Sequence, residues 1–192
     1  FSLYSGYQFA PKSSVSIDDQ SSFDAVWEGK SFKSPIYYGI RGIWWLGEPM
    51  KKNLGISLDF SHAKAYASEE TLDKAELSRL EFSDGLNLLT INALYRFKNH
   101  KSKWAPYAGI GAGINIPHVE LTRRSGKTFE YQIGGPTLQA QLGIAYKATK
   151  SISVFAEYKA NYSFIDVSVD SGKNLNTNIF TNAFNTGLSY SF

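Results

Sequence analysis

The feature that most constrains the fold is an alternation of apolar and polar residues with a period of two. In the stretch LTINALYRF, Leu89, Ile91 and Ala93 are apolar, whereas Thr90 and Asn92 between them are polar. This period is typical of β-strands, because successive side chains point to opposite faces of the sheet. The pattern recurs in FSLYSGYQF, IYYGIRGIWWL, LGISLDF, LTINALYRF, YAGIGAGINI, LQAQLGIAY, ISVFAEYKANYSF and the C-terminal TNAFNTGLSYSF. The sequence therefore predicts an all-β protein of eight strands.

The connections between these segments indicate how the strands are arranged. LGEPMKK, KNHKSK and KATKS are short, whereas residues 10–34, 68–83 and 166–177 form long connections; the one around TRRSGK is a short exception. Short turns at one end and long loops at the other are typical of small outer-membrane barrels, whose strands cross the bilayer with roughly 9–11 residues. We therefore predict a single domain, residues 1–192, that forms an eight-stranded antiparallel up-and-down transmembrane β-barrel in the bacterial outer membrane.

The apolar alternation of the last segment continues to Phe192, the final residue of the sequence. An open sheet edge in lipid would leave backbone N–H and C=O groups unsatisfied, at several kcal/mol each. We therefore expect the last strand to pair with the first. A terminal Phe after alternating apolar residues also resembles the signal read by the outer-membrane insertion machinery. Because the sequence starts at Phe1 rather than at a methionine, we expect a mature or trimmed form.

A soluble closed barrel, such as a lipocalin, is the alternative fold. It would carry the apolar face inside and the polar face outside. The polar face here is rich in Gly, Ser, Asn and Gln, and charged residues make up only 19% of the chain, against roughly 25% in an average soluble domain. Aromatic residues near the segment ends are typical of the girdles at a membrane interface. They are Tyr38, Trp44, Trp45, Tyr95, Phe97, Trp104 and Tyr146. These features favour the membrane barrel.

The polar face also carries charges that we expect inside the barrel. They are Arg41, Asp59, Arg96, Glu157 and Lys159. An eight-stranded barrel is only wide enough to be filled by side chains. Because an unpaired buried charge is costly, we predict a salt-bridged plug rather than an ion pathway or a wide pore.

Two interruptions of the alternation point to a candidate site. After Pro117 the apolar positions change to Val119 and Leu121, and a second change falls at Gly134-Gly135-Pro136. Pro and Gly within strands often mark bulges that redirect side chains. If both changes are real, four polar residues face inward and meet near the mouth of the barrel. They are His118, Glu120, Glu130 and Gln132.

This group of four suits two kinds of chemistry. A histidine with two carboxylates can act in acid–base catalysis. His118, Glu120 and Glu130 also approximate a mixed nitrogen and oxygen site for iron, copper or manganese. The structural alternative is a hydrogen-bonded rim that steadies a loop.

A second candidate lies in DFSHAKAY, where His62 and Lys64 follow Phe60. Strict alternation sends both side chains outward at the rim, where Lys64 would meet lipid phosphates. A bulge at Ser61 would instead turn them inward and put Ala63 and Ala65 on the lipid side. The sequence leaves both possibilities open.

Several segments resemble the lipid A oxidase family of Gram-negative outer membranes. They are PIYYGIRGIWW, LDFSHAKAY, RLEFSDGLNLLTINALYRF, WAPYAGIGAGINIPHVE, FEYQIGGPTLQAQLGIAY and SVFAEYKANYSF, which span most of the chain from Pro35 onward. IPHVE and FEYQ–GGP are not needed to close a barrel, so they are the more specific part. The resemblance implies an enzyme that uses O₂ to oxidise the proximal glucosamine of 1-dephosphorylated lipid A to 2-aminogluconate, with hydrogen peroxide as the other product.

The resemblance implies no particular catalytic residues, so the candidates are inferred from the sequence pattern alone. His118, Glu120, Glu130 and Gln132 are the catalytic candidates, and the substrate-binding candidates are His62, Lys64 and Asp84. Spin rules make the direct reaction of O₂ with a closed-shell sugar slow, so we expect a divalent or redox metal. No Gly-rich strand–helix unit for a flavin or nicotinamide is present.

The expected partners are lipid A or lipopolysaccharide and the outer-membrane lipids, bound by a monomer. A formal charge of +3 without a recognisable motif does not indicate nucleic-acid binding. Two other functions remain open. A lipid A deacylase needs a serine near a histidine, but neither His62 nor His118 begins a His-x-Ser pattern. A non-enzymatic anchor or adhesin would use long loops such as residues 10–34.

Overall fold

The computed structural model describes residues 1–47, 53–97 and 102–192, apart from the side chain of Ser171. Parts of the predicted turns LGEPMKK and KNHKSK lie outside the described residues. The strands, in chain order, are β1 (Ser2–Phe9), β2 (Ser13–Ile17), β3 (Gln20–Ala25), β4 (Trp27–Glu28), β5 (Tyr38–Trp45), β6 (Leu54–His62), β7 (Ala65–Ala67), β8 (Arg79–Phe82), β9 (Leu88–Arg96), β10 (Trp104–Asn115), β11 (His118–Arg123), β12 (Gly126–Tyr131), β13 (Gly135–Lys147), β14 (Ile152–Val169) and β15 (Lys173–Tyr190).

Eight of these strands close into a ring. The order is β1-β5-β6-β9-β10-β13-β14-β15, and β15 pairs back to β1 from Ser2↔Ser189 to Phe9↔Asn182. All neighbours in the ring are antiparallel. Closure gives each strand of the ring a neighbour on both sides, so no backbone edge is left unpaired in lipid. The predicted eight-stranded up-and-down barrel is confirmed.

The outer face of the ring is apolar. Large exposed side chains on it include Ile56, Leu58, Ile91, Ile110, Leu138, Leu142, Phe184 and Leu188. A soluble barrel would bury such residues, whereas in a membrane barrel they face the lipid. Among the described residues, no helix is long and apolar enough to cross a membrane.

The inner face carries the predicted salt-bridged plug. Arg41 bonds Asp59 through Nε at 2.7 Å and Glu157 through both terminal nitrogens at 2.8 Å each. Lys159 Nζ donates to Asp59 Oδ2 at 2.7 Å. All four side chains are at most 1% exposed, so two cations and two anions neutralise one another in the lumen. Arg96 lies apart from them, half-buried, over the ring of Trp45 at 4.1 Å.

The end with the long connections is folded into a cap. β2 pairs with the distal part of β15 and β3 with β2, so this hairpin extends the barrel wall. A second sheet, in the order β12-β11-β8-β7-β4, lies across this end. A short helix, α1 (Glu69–Lys74), joins β7 to β8, and Ser68 caps it by accepting a hydrogen bond from Thr71 N–H. All three connections predicted as long loops, residues 10–34, 68–83 and 166–177, therefore contain regular structure. In the third, β14 and β15 continue as a paired hairpin and leave only the short turn Asp170–Gly172 between them.

The cap has an apolar core of its own. Trp27 of β4 packs against Phe82 of β8, with ring centroids 5.9 Å apart. Val119 and Leu121 of β11 are fully buried in the same core, as is Leu175 of β15. Burying these side chains stabilises the cap by about 25 cal/mol per Å² of apolar surface removed from water. The barrel interior thus changes from a polar lumen to an apolar core as the strands leave the membrane.

Candidate active site on the outer face of the barrel rim

The alternation of side chains continues through Pro117 without a change of face. Asn115, Val119 and Leu121 are all buried inside, whereas His118 and Glu120 lie on the other face of β11. The predicted change at Pro117, which would have turned His118 and Glu120 inward, is therefore wrong. The strand keeps its alternation of faces, but the polarity of the inner face changes. Within the membrane the inner face is polar, whereas above the membrane it packs into the apolar core of the cap.

The change at Gly134-Gly135-Pro136 is a real bulge. Gly134 N–H donates to the Asn115 carbonyl at 3.0 Å, and the next residue, Gly135, is the one in register with Asn115. Two residues of one strand thus oppose a single residue of its neighbour, as in a β-bulge. Gly135 has φ +144, and a Cβ on Gly134 would lie 2.2 Å from Asn115 Oδ1. Only glycine fits this crossing without a shift.

The bulge and the regular strand together separate the four predicted catalytic residues. Glu130 is in register with Val119, which puts it on the face opposite to His118 and Glu120. Gln132 points toward β14, where its amide donates to the Ser168 carbonyl at 2.7 Å. The prediction that Glu130 and Gln132 meet His118 is wrong, because only one of the two strands changes face.

Asp84 takes the place that Glu130 was predicted to fill. His118 Nδ1 lies 3.4 Å from Glu120 Oε1 and 3.7 Å from Asp84 Oδ2. Within the described ranges, these three side chains form the histidine and acid group that could hold a metal, with ligand atoms within 4.8 Å of one another. Asp84 follows Ser83 and precedes Gly85, and an Asp-Gly pair is typical of a tight turn.

Glu120 is held by residues that the sequence did not single out. Ser83 Oγ donates to Glu120 Oε1 at 2.7 Å, and Arg79 donates to Oε2 at 2.8 Å. Burial raises the pKa of Glu120, but these hydrogen bonds and the charge of Arg79 outweigh it and hold the pKa below its ordinary value. Glu120 is therefore a fixed carboxylate at neutral pH.

The turn at residues 83–87 holds both histidines of the rim. The Gly85 carbonyl accepts a hydrogen bond from His118 N–H at 2.9 Å. Two residues on, Asn87 Oδ1 lies 2.9 Å from His62 Nδ1. Gly85 has φ +109, and a Cβ there would lie 2.5 Å from His62 Nδ1. Glycine is therefore required where this turn passes His62.

His62 follows strict alternation, whereas Lys64 lies beyond the end of β6. The register of β5 and β6 is regular through Gly39↔Ser61 to Tyr38↔His62, so the possible bulge at Ser61 is absent. His62 stacks on Tyr38 with ring centroids 5.2 Å apart. Lys64 is buried and donates to two backbone carbonyls, so it is a fixed cation of the cap rather than a free one at the rim.

Aromatic and aliphatic side chains surround the polar group. The His118 ring lies 4.5 Å from the rings of both Phe129 and Tyr131. Tyr131 Oη donates to the Asp84 carbonyl at 3.2 Å. Phe129, Tyr131 and Ile133 are more than half exposed, at 56%, 58% and 71%. The buried His118 and the carboxylates beside it are thus surrounded by exposed apolar side chains.

His118 offers a free ligand atom to this group. Its side chain is only 5% exposed, yet Nδ1 has no hydrogen-bond partner among the described residues. A buried polar atom without a partner costs free energy and calls for an explanation. One imidazole with two carboxylates fits iron or manganese by donor type, so these residues fit the predicted metal.

The closed ring, its apolar wall and the polar group at its rim define a membrane-spanning β-barrel with an external site. The chain belongs to the outer membrane protein beta-barrel domain family, whose pattern matches residues 3–192. It is located in the bacterial outer membrane. No curated protein sequence matches it.

Two solved structures show the same fold. The chain is similar to Neisserial surface protein A, with 17% identity and a TM-score of 0.56 over 100% of this chain and 96% of that chain. It is also similar to the outer membrane protein OprG from Pseudomonas aeruginosa, with 11% identity and a TM-score of 0.59 over 100% and 91%. At such identities the likeness concerns the fold alone.

Proposed function

We propose that this protein is an outer-membrane enzyme that oxidises lipid A. It uses O₂ to convert the proximal glucosamine of 1-dephosphorylated lipid A to 2-aminogluconate. The observation that carries the proposal is that His118, Glu120 and Asp84 gather on the outer face of the rim, within a border of exposed aromatic side chains. Lipid headgroups reach that face directly from the outer leaflet, whereas the lumen is closed by the plug.

The surroundings of the site suit a lipid that stays in its leaflet. Tyr38, Phe129 and Tyr131 are exposed beside the two histidines, and Ile133 continues the apolar surface toward the barrel wall. Tyrosine and other aromatic residues favour the interface between headgroups and acyl chains. A sugar headgroup can thus enter the polar group while its acyl chains remain along the wall.

The side chains supply acid–base chemistry. Glu120 is a carboxylate at neutral pH, so it can accept the proton of the anomeric hydroxyl. Arg79 and Ser83 fix its two oxygens, which leaves its remaining lone pairs for the substrate. His118, backed by Phe129 and Tyr131, is held in one orientation beside it.

The overall reaction balances. The C1–H bond breaks, and its electron pair with two protons reduces O₂ to hydrogen peroxide. The lactone formed at C1 takes up one water and opens to the carboxylic acid. The lipid product is therefore one oxygen heavier than the substrate.

A metal ion would be held by His118 Nδ1 and the carboxylates of Asp84 and Glu120. When bound, a redox metal supplies the one-electron chemistry that overcomes the spin barrier to reaction with O₂. Asp84 is about half exposed, so the substrate side of the set stays open. Glu130 has no part in this set.

The test incubates 1-dephosphorylated lipid A with the purified protein in detergent, once in air and once without oxygen. Mass spectrometry then measures the mass of the lipid. We expect a gain of one oxygen in air alone, loss of the reaction with a chelator, and recovery with one metal. Loss of an acyl chain would instead indicate a deacylase. No change with folded protein and added metals would favour an anchor or adhesin.

A further inference from the structure

A group of three lysines surrounds one tyrosine of the cap. The Nζ atoms of Lys30, Lys33 and Lys64 lie 4.6, 5.8 and 5.5 Å from the centre of the Tyr66 ring. Lys30 and Lys33 belong to the connection between β4 and β5, and Lys64 lies between β6 and β7. We call these three lysines and Tyr66 the lysine cluster.

Lys64 is the fixed member of the cluster. Its side chain is buried, and Nζ donates to the carbonyls of Lys30 and Lys33 at 2.7 Å each. An ammonium group has three N–H donors, so one is left after these two bonds. The same two bonds hold the backbone that carries Lys30 and Lys33, so the three cations are kept together by the fold.

The cluster carries excess positive charge. Glu28 pairs with Lys30 at 2.9 Å, but across the described part of the chain no carboxylate lies within 4.0 Å of Lys33 or Lys64. Burial, and then the charges of Lys33 and Lys30, lower the pKa of Lys64. Like charges held together in this way are stabilised by an anion.

Apolar side chains beside the cluster indicate which anion this is. Phe32 lies between the two loop lysines and is 74% exposed, and Ile36 on the same connection is 50% exposed. Cationic side chains next to exposed apolar ones are the pattern that binds anionic lipids at a membrane surface. A free anion in water would need the lysines but not Phe32 or Ile36.

The cluster and the candidate active site share one face of the cap sheet. Tyr66 is in register with Glu81, and Glu81 is in register with Glu120. Residues directly opposite each other in neighbouring strands point to the same side. Two strand spacings separate Tyr66 from Glu120, roughly 10 Å. One headgroup of disaccharide size therefore reaches both.

We propose that the lysine cluster binds the phosphate group of an outer-leaflet lipid headgroup. Lys33 and Lys64 contribute the charge, and Phe32 and Ile36 contact the apolar part of the lipid. The inference rests on the proposed function only for the identity of the natural lipid. If the protein is the proposed oxidase, the lysine cluster is part of its substrate-binding site. Binding of the lipid A phosphate at the cluster then orients the proximal glucosamine at His118.

The test measures binding without turnover. The purified barrel in a zwitterionic detergent is titrated by calorimetry with dihexanoyl phosphatidic acid, with dihexanoyl phosphatidylcholine, and with sodium phosphate. The variant is Lys30→Gln with Lys33→Gln, which keeps side-chain length and leaves Lys64 in place. The matched control is Lys12→Gln with Lys74→Gln, which also removes two lysine charges from exposed ion pairs.

We expect phosphatidic acid to bind the native protein and the control equally, and to bind the cluster variant at least about tenfold more weakly. Equal binding by variant and control would overturn the site. Binding of sodium phosphate as tight as that of phosphatidic acid would overturn the assignment to a lipid. Binding at the cluster together with no oxidation of lipid A would refute the oxidase alone. Heat-modifiable migration on gels shows that each variant is folded.

Discussion

His118 Nδ1 and Glu120 Oε1 lie 3.4 Å apart on the outer face of β11, and both side chains are only 5% exposed. This pair is the centre of the candidate site. Its imidazole nitrogen has no hydrogen-bond partner among the described residues, whereas its carboxylate is fixed by Ser83 and Arg79. A carboxylate held rigidly beside a free imidazole is suited to binding a metal and to moving a proton.

Glu120→Gln tests the role of that carboxylate. The amide keeps the shape but loses the negative charge and the proton acceptor, so we expect kcat for lipid A oxidation to fall by about 10²–10⁴-fold. Glu81→Gln is the matched control, because Glu81 lies on the same face and also contacts Arg79, at 3.2 Å. An unchanged kcat in Glu120→Gln, or an equal fall in Glu81→Gln, would contradict the assignment.

Gly85→Ala tests whether the turn positions the site. A methyl group at Gly85 would meet His62 Nδ1 at 2.5 Å, in addition to the strain of φ +109, which costs roughly 1–2 kcal/mol. Gly172→Ala is the control, because Gly172 also has positive φ but has open space around it. We expect the oxidation rate to fall in Gly85→Ala only. Equal rates in the two variants would show that the turn does not position the site.

Glu157→Gln tests the plug. It leaves Arg41 and Lys159 buried with Asp59 alone, so we expect the free energy of unfolding to fall by about 3–5 kcal/mol. Urea titrations of the barrel in lipid vesicles, followed by heat-modifiable migration, measure the change. The exposed Glu130→Gln is the control and should leave stability unchanged. A native-like midpoint for Glu157→Gln would contradict a stabilising role for the ion pairs of Glu157.

Asp19 contributes to the pH dependence of the stability of the cap. Hydrogen bonds from Lys173 and then Arg123 lower the pKa of Asp19 to about 2. Because the folded pKa is depressed, its stabilising contribution is present in full above the unfolded pKa. It is lost as the pH falls through the folded pKa near 2. NMR titration of the Asp19 carboxyl should give this value, and Arg123→Gln should raise it. A titration at the ordinary value in the native protein would contradict the contact.

The barrel could be predicted from the sequence because one period governs every strand. The alternation fixes which residues face lipid, and the need to pair each edge fixes closure through Phe9 and Asn182. Arg41, Asp59, Glu157 and Lys159 could be placed in the lumen by the same rule. The strands within residues 10–34 could not be foreseen, because the segment is polar and rich in serine.

Part of the geometry of the candidate site could be predicted from the sequence. The sequence pattern puts His118 and Glu120 on one face of a strand, but it predicts the wrong face, because Val119 and Leu121 fill the core of the cap and do not meet lipid. The alternation does not show at which residue a strand leaves the membrane. An apolar residue near that point can therefore face lipid on the barrel wall or pack in the core of the cap. Asp84 replaced Glu130 because contacts between distant turns depend on the register of five strands.

The most direct measurement compares His118→Ala with Glu130→Ala in the oxidation of 1-dephosphorylated lipid A, followed by mass spectrometry. Both residues lie on the β11–β12 hairpin, but on opposite faces. The proposed site predicts that the Glu130 variant forms the product that is one oxygen heavier at the native rate, and that the folded His118 variant forms none. Turnover by the His118 variant, or loss of turnover in the Glu130 variant, would contradict an active site on the outer face of the rim.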